Sequence, residues 1–356
     1  MNRQENTKKL ISDHYAKYPL METEDLFKFL HQSTFGCEHA VKDEETAFKR
    51  IEAELGGDNS PLAEELDGNY SRVGLSYTKQ GLNTKTLARL FYLSAEEAKG
   101  TVNELEERIN AAASLIKSGA LPLNEERFCK KWEEWKNEGY RALHHSESFR
   151  TAYNPSYRVI ANKFLPYLPL FARIDAMLSK GKVRLAVEGG SASGKTTLSA
   201  MISQIYDCTI LHTDDYFLRP EQRTAERLHE TGGNFDRERF LEEIITPLND
   251  DKTIVYSPFK CSTQSIMPPI SVSPKALTVV EGVYSTHPEL GDWYNLSVFL
   301  DIAPDVQKTR VLKRNGDILA KRFFEEWIPM ENRYFTQFGV VGKCDMLITS
   351  ESENAN

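Results

Sequence analysis

The chain has 356 residues, enough for two domains that each bury a core. Its 44 Lys and Arg against 52 Asp and Glu give a mildly acidic balance with no basic tract, so neither nucleic acid nor an anionic membrane surface is expected as a partner. No stretch approaches the ~20 apolar residues of a membrane span, and the polar start MNRQENTKKLISDHY lacks a signal-peptide core, so a cytoplasmic protein is expected. Five cysteines (Cys37, Cys129, Cys208, Cys261 and Cys344), odd in number and without a C-x-x-C, predict reduced thiols rather than a disulfide frame or a zinc site.

The sequence divides near residue 180. Residues 1–180 carry amphipathic helical periods and little strand signal, which predicts a mainly α-helical domain. Thr23 caps a helix with Leu26, Phe29 and Leu30 on one face. Asp43 opens another with Phe48, Ile51 and Leu55, closed by Gly56-Gly57. YSRVGLSYT reads as a short strand. NTKTLARLFYLSAEEA begins at a capping Asn83, and a longer helix through LEERINAAASLIKSG ends at Gly119. The last expected helix, VIANKFLPYLPLFARIDAMLSK, is interrupted by Pro166 and Pro169 and runs into the linker SKGK. His39 and the pair His144-His145 match no metal-ligand spacing.

Residues 181–356 change to short β-branched runs separated by helices. The expected strands are RLAVEG, CTILHT, TIVYS, ALTVVEG, LSVFLDI and DMLITS, with helices in DRERFLEEIITPL and APDVQKTRVLKRNG. This alternation, with the glycine-rich phosphate loop of residues 189–197 after the first strand, predicts an α/β domain: a three-layer P-loop NTPase fold whose mostly parallel sheet is covered on both faces. After the first strand comes GGSASGKTT, in which Gly189, Gly194, Lys195 and Thr196 fill the pattern G-x-x-x-x-G-K-[ST]. A strand delivers the chain into a loop of inward-pointing N–H groups, and the next helix adds its positive N-terminal end. Gly189, Gly190, Ser191, Ala192, Ser193, Gly194, Lys195, Thr196 and Thr197 are therefore expected to hold ATP, Lys195 on the β- and γ-phosphates and Thr196 on Mg²⁺.

Ligands collect at the carboxyl ends of such strands. Three of those ends carry acids: Asp214 and Asp215 in LHTDDYF, Glu281 in VVEGVYS, and Asp301 with Asp305 in LDIAPD. Asp305, directly ahead of VQKTRVLKR, reads as a helix-start residue. Asp214 sits in an apolar frame beside the phosphate loop, where a carboxylate can take a proton from an acceptor hydroxyl or hold Mg²⁺. Glu281 ends the most hydrophobic strand, where an unpaired carboxylate is costly unless a metal-bound water or a hydroxyl meets it.

GGSASGKTT, HTDDYF, GGNFDRERF and VVEGVYS occur in this chain in the order seen in P-loop kinases of the uridine kinase/phosphoribulokinase group, which residues 183 to about 350 resemble. The resemblance implies that Asp214 faces the acceptor hydroxyl and that Lys195 and Thr196 serve phosphate and Mg²⁺. It also implies that Glu281 is the second acid and that Asp236 lies near the acceptor. Arg310 and Arg314 look like the lid arginines that cover the transferring phosphoryl group. One departure is informative. Uridine kinases carry Pro-x-Tyr-Asp followed by a His-x-Arg that grips the nucleoside, whereas this chain reads YSPFKCSTQSI, with Phe259 and Lys260. Tyr256, Lys260, Trp327, Glu331 and Tyr334 are the expected acceptor contacts. The N-terminal half resembles a helical extension of some bacterial members of the group.

These readings converge on an ATP- and Mg²⁺-dependent phosphotransferase acting on a small hydroxylated acceptor, with Lys195, Asp214 and Arg314 as catalytic residues. Asp236, Tyr256 and Lys260 join Asp214 at the acceptor. Thr196, Asp214 and Glu281 are the metal residues, and Arg310 assists at the nucleotide. Two alternatives stay open: a non-enzymatic nucleotide-driven switch, and a kinase for an anionic sugar or acid rather than a nucleoside. Self-association into a homo-oligomer is left open as well.

Overall fold

The computed structural model describes residues 3–37, 41, 43–56, 61–97 and 99–350; His39 and Gly57 lie outside the described residues. The chain splits into two compact units, Met1–Ala176 and Met177–Asn356.

The first unit packs helices around a small antiparallel sheet of order β1-β2-β3, with β1 at Ala63–Glu65, β2 at Tyr70–Gly74 and β3 at Tyr157–Ala161. Its longer helices are Arg3–Lys17, Thr23–Phe35, Thr84–Glu96, Val102–Lys117 and Glu125–Asn137. Local chemistry fixes several starts: Asp43 accepts from the Thr46 N–H, Asn83 from the Lys85 N–H, and Thr101 forms a capping box with Glu104. The Thr23 cap is corrected by one residue. Glu22 is the cap, because its N–H donates to Asp25 at 2.9 Å, and Thr23 is already helical.

YSRVG forms β2 as the sequence indicates, and every residue of it is buried. The expected helix from Val159 is overturned at its start. Tyr157–Ala161 pairs with β2, a tight turn at Asn162–Tyr167 contains Pro166, and only Leu168–Leu178 is α-helical. Val159 and Ile160 gain more by packing on the buried face of β2 than by helical propensity, and Pro166 has no N–H to give an α-helix. Pro169 sits in the first turn of the last helix, where the missing donor costs nothing.

The second unit is built on a parallel sheet of order β12-β11-β4-β10-β5. Its strands are β4 (Val183–Gly189), β5 (Cys208–His212), β10 (Leu277–Glu281), β11 (Leu296–Ile302) and β12 (Met346–Ser350). Successive residues of β4 and β10 are buried, as expected where helices cover both faces. TIVYS is not part of this sheet. Ile254–Tyr256 (β6) pairs antiparallel with Ile270–Val272 (β9), and Phe259–Lys260 (β7) with Ser265–Ile266 (β8). The segment between β6 and β9 holds that second hairpin rather than the crossover helix a parallel neighbour needs. Val255 consequently faces solvent between buried Ile254 and Tyr256, a half-exposed pattern unlike β4 or β10. The helix Pro304–Arg322 carries Asp305 in its first turn and breaks at Gly316, where φ is 67° and ψ is 171°.

Candidate active site

β4 lies in the middle of the sheet, so the loop leaving its carboxyl end is flanked by the ends of β10 and β11. Gly189 turns the chain with φ 147°, and a Cβ there would meet the Leu300 carbonyl at 2.6 Å. Only glycine fits. Gly194, with φ 103°, then caps the helix Lys195–Ile205. Side chains from the C-terminal helices hold the loop. Gln307 Nε2 donates to the Ser191 carbonyl at 2.8 Å and Arg310 Nη1 to the Ala192 carbonyl at 3.3 Å. The buried Glu331 carboxylate accepts from the Ser191 N–H at 2.8 Å and from its Oγ at 2.5 Å. Burial raises the Glu331 pKa, against the Ser191 hydrogen bonds and the charge of Lys195.

Lys195 folds back over the loop, its Nζ donating to the carbonyls of Gly189 and Gly190 at 2.9 Å each. Thr196 Oγ1 donates to Glu281 Oε1 at 3.0 Å, and His212 Nδ1 lies 2.7 Å from the same oxygen. Strand register explains that meeting: Glu281 pairs with Val187 of β4 on one side and with His212 of β5 on the other. The following Gly282 has φ 137°, and a Cβ there would fall 1.9 Å from Thr213 Oγ1, so the strand end closes tightly on the 213–216 turn. The bond to the Glu281 carboxylate raises the His212 pKa.

Asp214 follows in that turn. It keeps solvent-accessible surface while protein crowds its carboxyl group. The resulting desolvation raises its pKa, with Lys195, His212 and Arg314 pulling back toward the anion. Asp215 is raised for the same reason, but its nearest cationic influences are His212 and Arg239. The two neighbours share His212 and Glu281 and differ in their further cations.

Hydrogen bonding joins Thr196 to Glu281, the charges of Lys195, Glu281 and Arg314 act on Asp214, and Arg310 bonds the loop itself. The other named residues lie on the elements around this centre. Asp236 is buried and caps the short helix Arg237–Phe240, accepting from the Arg239 N–H at 3.4 Å, while its own N–H donates to the Tyr216 carbonyl at 2.7 Å. Tyr256 is buried and stacks on Tyr216 with centroids 6.3 Å apart. Lys260 is exposed on β7, which packs against the 213–216 turn. Thr197 is exposed on the first helical turn. Arg314 lies over the Phe323 ring at 5.7 Å, and Phe323 packs edge-on against Trp327 at 4.5 Å. Tyr334 is corrected as an acceptor contact: it is wholly buried, and its hydroxyl donates to Glu188 at 3.1 Å.

Sequence reasoning missed His212, Gln307 and Glu188. His212 stood in view, since it ends β5 two residues before Asp214. Gln307 and Glu188 act through contacts from distant segments and left no local signal.

The donor set suits a hard divalent cation. Thr196 and Glu281 offer oxygens, and Asp214 is within electrostatic reach. Among the described residues no group of three or more His, Cys, Asp or Glu could hold a metal by itself, so Mg²⁺ here would share its shell with substrate phosphates and water.

No family model matches the chain. Curated relatives include uridine kinase-like protein 3 of Arabidopsis thaliana, 28% identical over 140 residues, which are 37% of this chain and 30% of that one. The uridine kinase of Chlamydia pneumoniae is 25% identical over 168 residues, covering 42% of this chain and 74% of its own. That of Oceanobacillus iheyensis is 28% identical over 149 residues, covering 39% and 70%. The chain spans less than a third of the Arabidopsis relative's length. Among solved structures, a possible uridine kinase from Bacillus stearothermophilus matches half of this chain and 98% of its own at 18% identity and a TM-score of 0.38. Five parallel strands, a phosphate loop between β4 and its helix, and the Thr196–Glu281 pair define an α/β P-loop NTPase fold. The curated relatives just described are uridine kinases and uridine kinase-like proteins.

Proposed function

We propose that the chain is a P-loop kinase that moves the γ-phosphoryl group of ATP to a hydroxyl of a small acceptor. The observation that carries this is the convergence of Lys195, Thr196, Glu281 and Asp214 at the carboxyl ends of three adjacent parallel strands. A switch needs the phosphate loop alone; a kinase also needs an acid near the transferring group.

Backbone N–H groups of the loop and the start of helix Lys195–Ile205 cradle the phosphates, and Lys195 exchanges two carbonyl partners for phosphate oxygens. Thr196 and Glu281 would hold Mg²⁺, which when bound offsets charge on the phosphates. Asp214 orients the acceptor hydroxyl and takes its proton. Its raised pKa suits it to that task, because a base whose conjugate acid is too strong accepts a proton poorly. Arg314 supplies positive charge on the same side.

The acceptor pocket favours an anion over a neutral nucleoside. Lys260 stands where the uridine kinases place an acid, and the charges of Arg223 and Arg239 also reach the Cys261, Asp214 and Asp215 neighbourhood. Tyr256 and Asp236 border the turn that carries Asp214. No described helix is long and apolar enough to cross a membrane, and the five thiols are free, which goes with a cytoplasmic location in this reading.

The test is ADP formation across neutral nucleosides and across sugar phosphates or carboxylates, for the wild type and Lys260→Glu. Acceptor-dependent ADP release with anionic acceptors, lost on charge reversal, supports the reading. Efficient turnover of uridine, unaffected by Lys260→Glu, restores a plain uridine kinase. ADP formation that needs no acceptor supports the switch.

A further inference from the structure

The N-terminal unit holds a cavity of about 180 Å³ that the phosphotransfer chemistry leaves unused. One wall is aromatic. Tyr18, Phe149 and Tyr153 form a continuous cluster, with centroids 4.8 to 5.2 Å apart. The opposite side carries charge, from Glu64 of β1 and Arg72 of β2, with Tyr157 of β3 beneath the guanidinium at 4.7 Å.

The hydrogen-bonding capacities there do not balance. Glu64 takes four donors on its two oxygens: His14 and Lys17 at 3.2 Å, Arg72 at 3.3 Å and Tyr18 at 3.4 Å. A carboxylate offers about four lone-pair sites, so Glu64 has no acceptor capacity left for a ligand. Arg72 is in the opposite position. Its Nε and Nη2 donate to Gln32 Oε1 and its Nη1 to Glu64, which uses three of five N–H groups among the described residues. Arg72 is only 2% exposed, and a buried guanidinium is costly unless its donors are met. Arg72 and the exposed Lys17 both bond Glu64, and His14 stays neutral because burial lowers its pKa to about 4. The cavity has spare Arg72 donors beside a ring-lined wall.

We propose that this cavity binds a small carboxylate bearing a planar ring, with the carboxylate on Arg72 and the ring against Tyr18, Phe149 and Tyr153. Cavities of about 150 Å³ accept benzene, so this volume admits one six-membered ring with a carboxyl group and little more. Arginine meets a carboxylate through paired, charge-assisted hydrogen bonds, and the aromatic cluster stacks the ring. The inference rests on the N-terminal unit alone and is independent of the kinase reading.

Calorimetry on the full chain tests it, with benzoate and nicotinate as probes and benzamide, nicotinamide and inorganic phosphate as controls. The ring carboxylates should bind about tenfold or more tightly than their neutral amides and more tightly than phosphate. Arg72→Gln risks unfolding the unit, so two variants at exposed positions carry the test. Lys17→Glu reverses the charge beside Glu64, and Ala152→Trp, on the exposed rim of helix Glu147–Tyr153, fills the mouth. Each should weaken benzoate at least tenfold while leaving the unfolding transition in place. Equal affinity for benzoate and benzamide, preference for phosphate, no binding at millimolar probe, or benzoate binding untouched by Ala152→Trp would each overturn the proposal.

Discussion

Thr196 and Glu281 stand 85 positions apart and meet at 3.0 Å, joining the helix that leaves the phosphate loop to the strand beside it. The contact places a hydroxyl and a carboxylate where a phosphate-bound cation belongs, and His212 touches the same carboxylate oxygen. Around that pair, each catalytic assignment has a measurable consequence.

Lys195→Ala should leave the fold intact and reduce phosphoryl transfer about 10²–10³-fold, by comparison with the loss of single charge-stabilising donors elsewhere. Among the described residues its ammonium bonds only loop carbonyls, Gly189 and Gly190, so removing it strips no core packing. Steady-state kinetics with an unchanged circular dichroism spectrum check this. Wild-type turnover by the variant would contradict the assignment of the loop.

The two adjacent aspartates should separate. Both feel His212 and Glu281, but Lys195 and Arg314 act on Asp214, whereas Arg239 acts on Asp215. Asp214→Asn should collapse kcat with little change in ATP affinity, and Asp215→Asn should be milder. Equal losses, or the reverse order, would refute this register of the turn.

How much of this was legible in the sequence depends on the reach of each interaction. The loop from Gly189 to Thr197 was fully readable, because glycine spacing and the Lys-Thr pair are local requirements. Glu281 was readable one step further, from the rule that ligands gather at strand ends. The Ser191–Glu331 contact was not: Glu331 stood out as an acceptor contact, but its bond to the loop joins residues 140 positions apart. The segment 159–161 was misread as helix for a related reason: its pairing partner is β2, far upstream, and only that contact makes it a strand. His14, Glu64 and Arg72 carried no functional signal in the sequence, because they meet only where three separate elements converge.

Glu331→Gln should lower the KM for ATP several-fold with kcat little altered. The buried carboxylate shapes the loop through Ser191, yet it places negative charge beside the phosphate site and near Lys195. Glutamine keeps an acceptor for the Ser191 N–H and removes the charge. A rise in KM would mean that the carboxylate itself, rather than its hydrogen bond, organises the loop.

The N-terminal unit should lose stability on mild acidification. Burial holds both His14 and His145 down to about 4, against 6.5 in the unfolded chain. Below pH 6.5 the unfolded chain takes up protons that the folded unit refuses, so stability present above that value falls as pH drops toward 4. Two such groups give a slope of up to about 2.7 kcal/mol per pH unit. Urea titrations at pH 7, 6 and 5 check this, with His145→Gln expected to reduce the slope. A midpoint independent of pH over that range would contradict it.

Glu188 gives the site a different kind of coherence. Its wholly buried carboxylate accepts from the amides of Gly189, Tyr284 and Thr286 and from the Tyr334 hydroxyl, so one side chain fastens the ends of β4 and β10 to the helix Ile328–Phe338. Three amide protons share that one acceptor. They cannot be released to solvent one at a time without leaving a buried anion short of donors, so in deuterium labelling they should exchange as a set. Loosening the C-terminal helix would therefore be felt directly beneath the phosphate loop, as a single cooperative opening rather than as fraying from the end of the chain.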